Sequence, residues 1–94
     1  MSEQEIYWSR EWLNGKGHHS TAFVFSYINT WSNRRNLSGE LVIGDCSRQV
    51  SLDLDVFSGE NQQKEYANTI EKLDRLIKTL AETRSAIVEH MESS

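Results

Sequence analysis

Apolar and polar positions change period once along this chain, from about two before Phe57 to about 3.5 after Glu60, and Ser58-Gly59 marks the change. The first part predicts strands. Residues 21–29 carry Phe23, Phe25 and Tyr27 on one face and Ala22, Val24 and Ile28 on the other, so both faces of that strand want cover. Residues 39–45 place Leu41 and Ile43 opposite Val42. In residues 49–57, Val50, Leu52, Leu54 and Val56 alternate with Ser51, Asp53 and Asp55, the pattern of a strand with one wet face. Ile6, Tyr7, Trp8 and Trp12 are β-formers ahead of Asn14-Gly15, a dipeptide common in tight hairpins, which predicts a further strand. A helix over 3–14 competes with it, because Ser2 and Glu5 have capping-box spacing and Gly15 could close the last turn.

Short connections between these runs favour an antiparallel meander of three or four strands, with 44–48 as its last turn and 29–38 as a longer polar loop. Ser58 is the expected N-cap of the element that follows, with Glu60 in its first turn. From there Tyr66, Ile70, Leu73, Ile77, Leu80, Ile87 and Met91 repeat at four-three spacing over 60–92, with Arg84 where an apolar residue is due. Ala67, Leu76, Ala81 and Val88 widen the stripe beyond a strict two-stranded seam. Such a helix suits packing on a sheet as well as on another helix. Pairs four residues apart, Glu60 with Lys64, Glu71 with Arg75 and Asp74 with Lys78, would support its wet side. The expected fold is therefore α+β: the meander, then one long amphipathic helix, in a single domain of 1–94.

At 1.5 Å per residue, 60–92 would span about 50 Å, against about 23–30 Å for the strands. Unless the helix breaks near 83–85, its far end needs a second chain, so a homo-oligomer is expected, most simply a dimer seamed by Ile77, Leu80, Arg84, Ile87 and Met91.

With 94 residues, 37% of them apolar, and a single cysteine, the chain has neither an internal disulfide nor an apolar run long enough for a bilayer, and 1–10 lack the make-up of a secretory signal. A cytoplasmic setting is expected, without a membrane. The net charge of −4 divides evenly, seven acids and five bases falling on each side of residue 59/60, so neither half is the basic lobe that coats phosphate.

Candidate chemistry is thin. Cys46 lies in a turn beside Arg48, which favours thiolate, yet His18, His19 and His90 stand at no recognisable nucleophile-base spacing. His18 and His19 are adjacent and point apart in an extended chain, so they do not chelate one metal locally. Asp53 and Asp55 share a strand face, as any solvated strand shows. If 3–14 were helical, the order helix, three strands, helix would be similar to the outline of a double-stranded-RNA-binding domain. That likeness is one of topology, since the last helix opens Glu60-Asn61-Gln62-Gln63-Lys64-Glu65 with one lysine rather than a cluster. No catalysis, cofactor or metal is expected. The strongest contact candidates are Trp31, Arg34 and Arg35, in a loop over 29–36, together with Arg48, because tryptophan and arginine dominate interface hot spots. The expected function is that of a small acidic interaction or regulatory protein, an adaptor or inhibitor of the kind common in bacteria and phages. Nucleic-acid binding through the same four residues is the alternative, and a small-molecule or thiol site near Cys46 a third.

Overall fold

The computed structural model describes residues 3–14 and 22–93. Four strands form one antiparallel sheet in sequence order: β1 (Gln4–Trp12), β2 (Phe23–Trp31), β3 (Asn36–Asp45) and β4 (Arg48–Asp53). One helix, α1 (Gln62–Ser93), follows. This is the expected meander and long helix. The chain divides into two units, Met1–Gln62 with the strands and Gln63–Ser94 with nearly all of the helix.

The N-terminal segment is a strand, not the competing helix. Trp8, Arg10 and Trp12 lie opposite Tyr27, Phe25 and Phe23, and large rings and long stems gain more from such cross-strand neighbours than from one exposed helical turn. The register slips between Glu5 and Tyr7, which makes Ile6 the extra residue of a bulge. Beyond Trp12 the Leu13 amide donates to the Ala22 carbonyl at 2.9 Å, and Asn14 Oδ1 accepts the Ala22 amide at 3.2 Å. The connection is therefore much longer than a two-residue turn on Asn14-Gly15. Gly15, His18 and His19 lie outside the described residues.

The loop expected over 29–38 is much shorter. Pairing runs through Thr30 with Leu37 and Trp31 with Asn36, leaving only residues 32–35 to turn the chain. Asn29, Thr30 and Trp31 belong to β2, and Asn36, Leu37 and Ser38 to β3. Ser32, Asn33 and Arg34 all take positive φ, 56°, 57° and 68°, an uncommon run for residues with a Cβ. The Arg35 amide closes the turn on the Ser32 carbonyl at 3.1 Å. At the other hairpin, β3 to β4, Asp45 pairs with Arg48 and Cys46 has a φ of 57° in a two-residue turn, a position glycine usually fills.

β4 ends at Asp53, four residues before the expected limit. Leu37 and Val56 still bridge in step with the β3–β4 register, but the Gly39 amide is taken by Asp55 Oδ1 at 2.8 Å. A side chain has replaced the ladder partner there. Gly39 is required by its surroundings, because a Cβ on it would sit 2.8 Å from the Tyr27 carbonyl oxygen. At Gly44 the Phe23 ring occupies the space a side chain would need.

Among the described residues the buried apolar side chains are few: Ala22, Val42, Leu54 and Val56. The buried polar ones are Thr30 and Asn36, and Asn36 Oδ1 accepts the Ser58 amide at 2.6 Å. Ser58 is thus tied into the sheet unit through its amide, and α1 begins four residues later, after Gly59 at φ 149° and a turn closed from the Gln62 amide to the Gly59 carbonyl. Glu65 is the acid of its first turn, while Glu60 precedes the helix. α1 runs unbroken through Arg84, its 32 residues spanning about 48 Å. None of them is buried. Glu71 and Arg75 pair as expected at 2.6 Å, whereas Lys78 reaches forward to Glu82 at 3.8 Å rather than back to Asp74.

Candidate functional site

The antiparallel register sorts the sheet's side chains onto two faces of different chemistry. One is aliphatic, with Val24, Ile28, Leu41, Ile43 and Leu52 on neighbouring strands. The other is aromatic at its β1–β2 side and acidic toward β4. On it Trp8 packs edge-on against Phe25 at 5.6 Å between ring centroids, and Trp12 against Phe23 at 6.2 Å. Tyr27 continues the row 5.8 Å from Phe25. The Arg10 guanidinium lies 4.9 Å over the Trp12 ring, where the ring's negative face attracts the cation.

The β2 rings Phe23, Phe25 and Tyr27 are half-buried, while the two tryptophans on β1 remain open to solvent. Trp8 is 55% exposed and Trp12 58%, although each already leans on a phenylalanine. Isolated exposed aromatics are ordinary, but two tryptophans exposed side by side on a row of further rings mark a surface suited to being covered. Across the same face Glu40 pairs with Asp53 on the neighbouring strand. Asp53 Oδ1 accepts the Asp55 amide at 2.8 Å, and both residues line a recess of about 310 Å³ with Tyr27, Ser38 and Glu40. A second recess, about 400 Å³, adjoins it through Ser38 and Asp55 and is lined also by Glu3, Trp31 and Phe57. Rings and carboxylates together suit a guest that is part apolar and part cationic.

The residues singled out from the sequence are only partly brought together. Trp31 is 37% exposed and stands edge-on to Phe57 at 6.5 Å, so part of its surface already closes the end of the sheet. Arg34 and Arg35 are exposed in the adjoining turn; Arg34 donates to Gln4 Oε1 at 3.3 Å, and the Arg35 carbonyl accepts the Gln62 side-chain amide. Arg48 does not join them. It lies at the other end of β3, about 30 Å along a ten-residue strand. Cys46 is exposed between Asp45 and Ser47 in its turn. Among the described residues no cluster of three His, Cys, Asp or Glu side chains is placed to hold a metal ion, and no helix is long and apolar enough to cross a membrane.

Trp8, Arg10 and Trp12 were missed as site residues. Their i, i+2, i+4 spacing is visible in the chain, but its meaning depends on β1 pairing with β2 in this register. No protein-family model, curated protein or solved structure matches the chain, so its function has to be argued from these residues alone.

Proposed function

We propose that the chain is a small, acidic, non-enzymatic interaction protein of adaptor or inhibitor type, which assembles as a homo-oligomer and grips another protein through the aromatic face of β1 and β2. The observation that carries this reading is the open ladder of Trp8 and Trp12 on Phe25 and Phe23, with Glu40, Asp53 and Asp55 on the same side of the sheet. Tryptophan brings large contact area at low entropic cost, and a rim of carboxylates steers a basic partner. The fitting surface is one with exposed apolar groups ringed by lysine or arginine. Arg34, Arg35 and Trp31 flank this face as secondary contacts, and Arg48 stands apart from it.

The same ladder could stack bases, as exposed sheets do in single-strand binders. Charge argues against that use, because the carboxylates beside the rings repel phosphate and the chain as a whole is negative.

The test compares three forms of the protein as bait for a host extract: wild type, Trp8→Ala/Trp12→Ala and Arg34→Ala/Arg35→Ala. A stoichiometric protein retained by wild type and by the arginine variant, and lost with the tryptophans while the circular dichroism is unchanged, supports the aromatic face. Retention lost with the arginines instead returns the site to the turn. Salt-sensitive retention on single-stranded DNA would replace the whole reading with the nucleic-acid one.

A further inference from the structure

We infer that α1 pairs with α1 of a second copy in antiparallel orientation, and that Arg84 and Asp74 set this direction. The inference rests on the homo-oligomer reading above and adds the geometry to it. The helix is continuous, none of its residues is buried, and Ile70, Ile77, Leu80, Ile87 and Met91 of its apolar stripe are exposed while Leu73 and Leu76 are half-buried. Nearly every charged side chain of α1 falls on the opposite face, at the outer positions of the heptad. Two charges break that rule. Arg84 holds a core position, and Asp74 is the one charged residue at the flanking position next to the core, where Ala67, Ala81 and Val88 stand in the other heptads.

In a parallel pair, equivalent core positions share a layer, so Arg84 would meet Arg84 of the second copy. The positions that could neutralise them on the other flank are Thr69, Leu76, Thr83 and His90, with no acid among them. Two guanidinium groups would then be held together in a seam that has lost much of its water. In an antiparallel pair, each first core position meets a second core position. Ile77 then meets Leu80, Ile70 meets Ile87, and Arg84 meets Leu73, with every layer in phase at once. The flanking positions of both copies now line the same side. Asp74 of one copy comes level with Arg84 of the other, within one residue's rise of about 1.5 Å, and small Ala81 leaves room for the guanidinium to reach it. The pair occurs twice by symmetry. The odd arginine thereby selects direction and register as well as lowering the stability of the seam.

The direction is read by a spin label at Glu92→Cys in a Cys46→Ser background, with the mass measured by light scattering on the same sample. Antiparallel pairing brings residue 92 level with residue 65 of the second copy, so the two labels stand about 40 Å apart. A dimer with that distance is expected. A dimer with labels within about 25 Å, roughly two helix diameters, overturns the direction and leaves the oligomer standing. A monomer at 100 µM, about the concentration of such a sample, overturns both. The charge partners are checked by exchange. Arg84→Asp and Asp74→Arg should each weaken association at least tenfold, and the double exchange should restore it; two additive losses without restoration would show that these residues do not face each other.

Discussion

The sheet and the helix satisfy opposite halves of their requirements. In α1 every hydrogen bond of the backbone interior is local, closed four residues back, while none of its residues is buried. In the sheet the backbone depends on partners in other strands, from three residues away beside the β3–β4 turn to 26 between β1 and β2, and those same pairings bring side chains together: Trp12 onto Phe23, the Phe23 ring over Gly44, Asp55 onto the Gly39 amide. The difference separates two meanings of a well-formed element. A helix can be the plainest feature of a sequence and still owe its stability to what covers it, because most helical stability in proteins comes from packing of an amphipathic face rather than from propensity. All three tryptophans, Trp8, Trp12 and Trp31, lie in the sheet, so tryptophan fluorescence follows the sheet while far-ultraviolet circular dichroism follows mainly the helix.

The largest effect expected comes from charging the open stripe. In the proposed α1 pair, Leu80→Glu would put an unpaired carboxylate at a core position and should abolish association, costing more than about 3 kcal/mol of helix stability. The signal at 222 nm should fall sharply while tryptophan fluorescence stays native. A collapse of both together would show that the sheet is no more self-sufficient than the helix.

Within the sheet, Gly39→Ala is expected to cost about 2–3 kcal/mol, since the new methyl meets a carbonyl oxygen of the neighbouring strand and only backbone movement relieves it. Urea denaturation followed by tryptophan emission measures this. A neutral result would mean that the β2–β3 pairing yields there more easily than a continuous ladder should. Asn36→Ala is expected to cost about 1–2 kcal/mol by the same measurement, because the Ser58 amide loses its acceptor at a buried site.

The smallest effect runs the other way. Arg34→Gly and Cys46→Gly, each at a positive φ, should each raise stability by about 0.5–1 kcal/mol. Relief of the left-handed conformation is worth about 1–2 kcal/mol, and the freedom glycine gains when unfolded takes back about 0.5–1. If Arg34→Gly destabilises, its bond to Gln4 contributes more than the turn geometry costs.

The alternation in 21–29 and 49–57 and the heptad from Tyr66 to Met91 were legible because each is a local periodicity, recorded in consecutive residues. Less legible were the ends of the elements. β3 begins at Asn36 and not near Gly39, because Asn36 and Leu37 gain partners in Trp31 and Thr30, which no local pattern announces. Asn14-Gly15 carries the mark of a tight turn, yet the bonds of Leu13 and Asn14 to Ala22 close a much longer connection. The candidate site followed the same division. Trp31, Arg34 and Arg35 stood together in the chain and stand together in the fold, whereas Arg48 was joined to them by residue type alone.

By itself the sequence determined the α+β class, the order of strands before helix, the even spread of negative charge and the apolar stripe of α1, all of them sums or periods of neighbouring residues. Only the tertiary structure decided that Trp8 and Trp12 share a face with Phe23, Phe25 and Tyr27, and that Glu40, Asp53 and Asp55 lie across that face from them. The physical reason is register. Side chains alternate with a period of two, so a single extra residue, such as the bulge at Ile6, transfers everything before it to the opposite face. Which residues form this surface is therefore settled by pairings between β1 and β2 residues 11 to 26 positions apart in the chain, and no local period of consecutive residues contains that information.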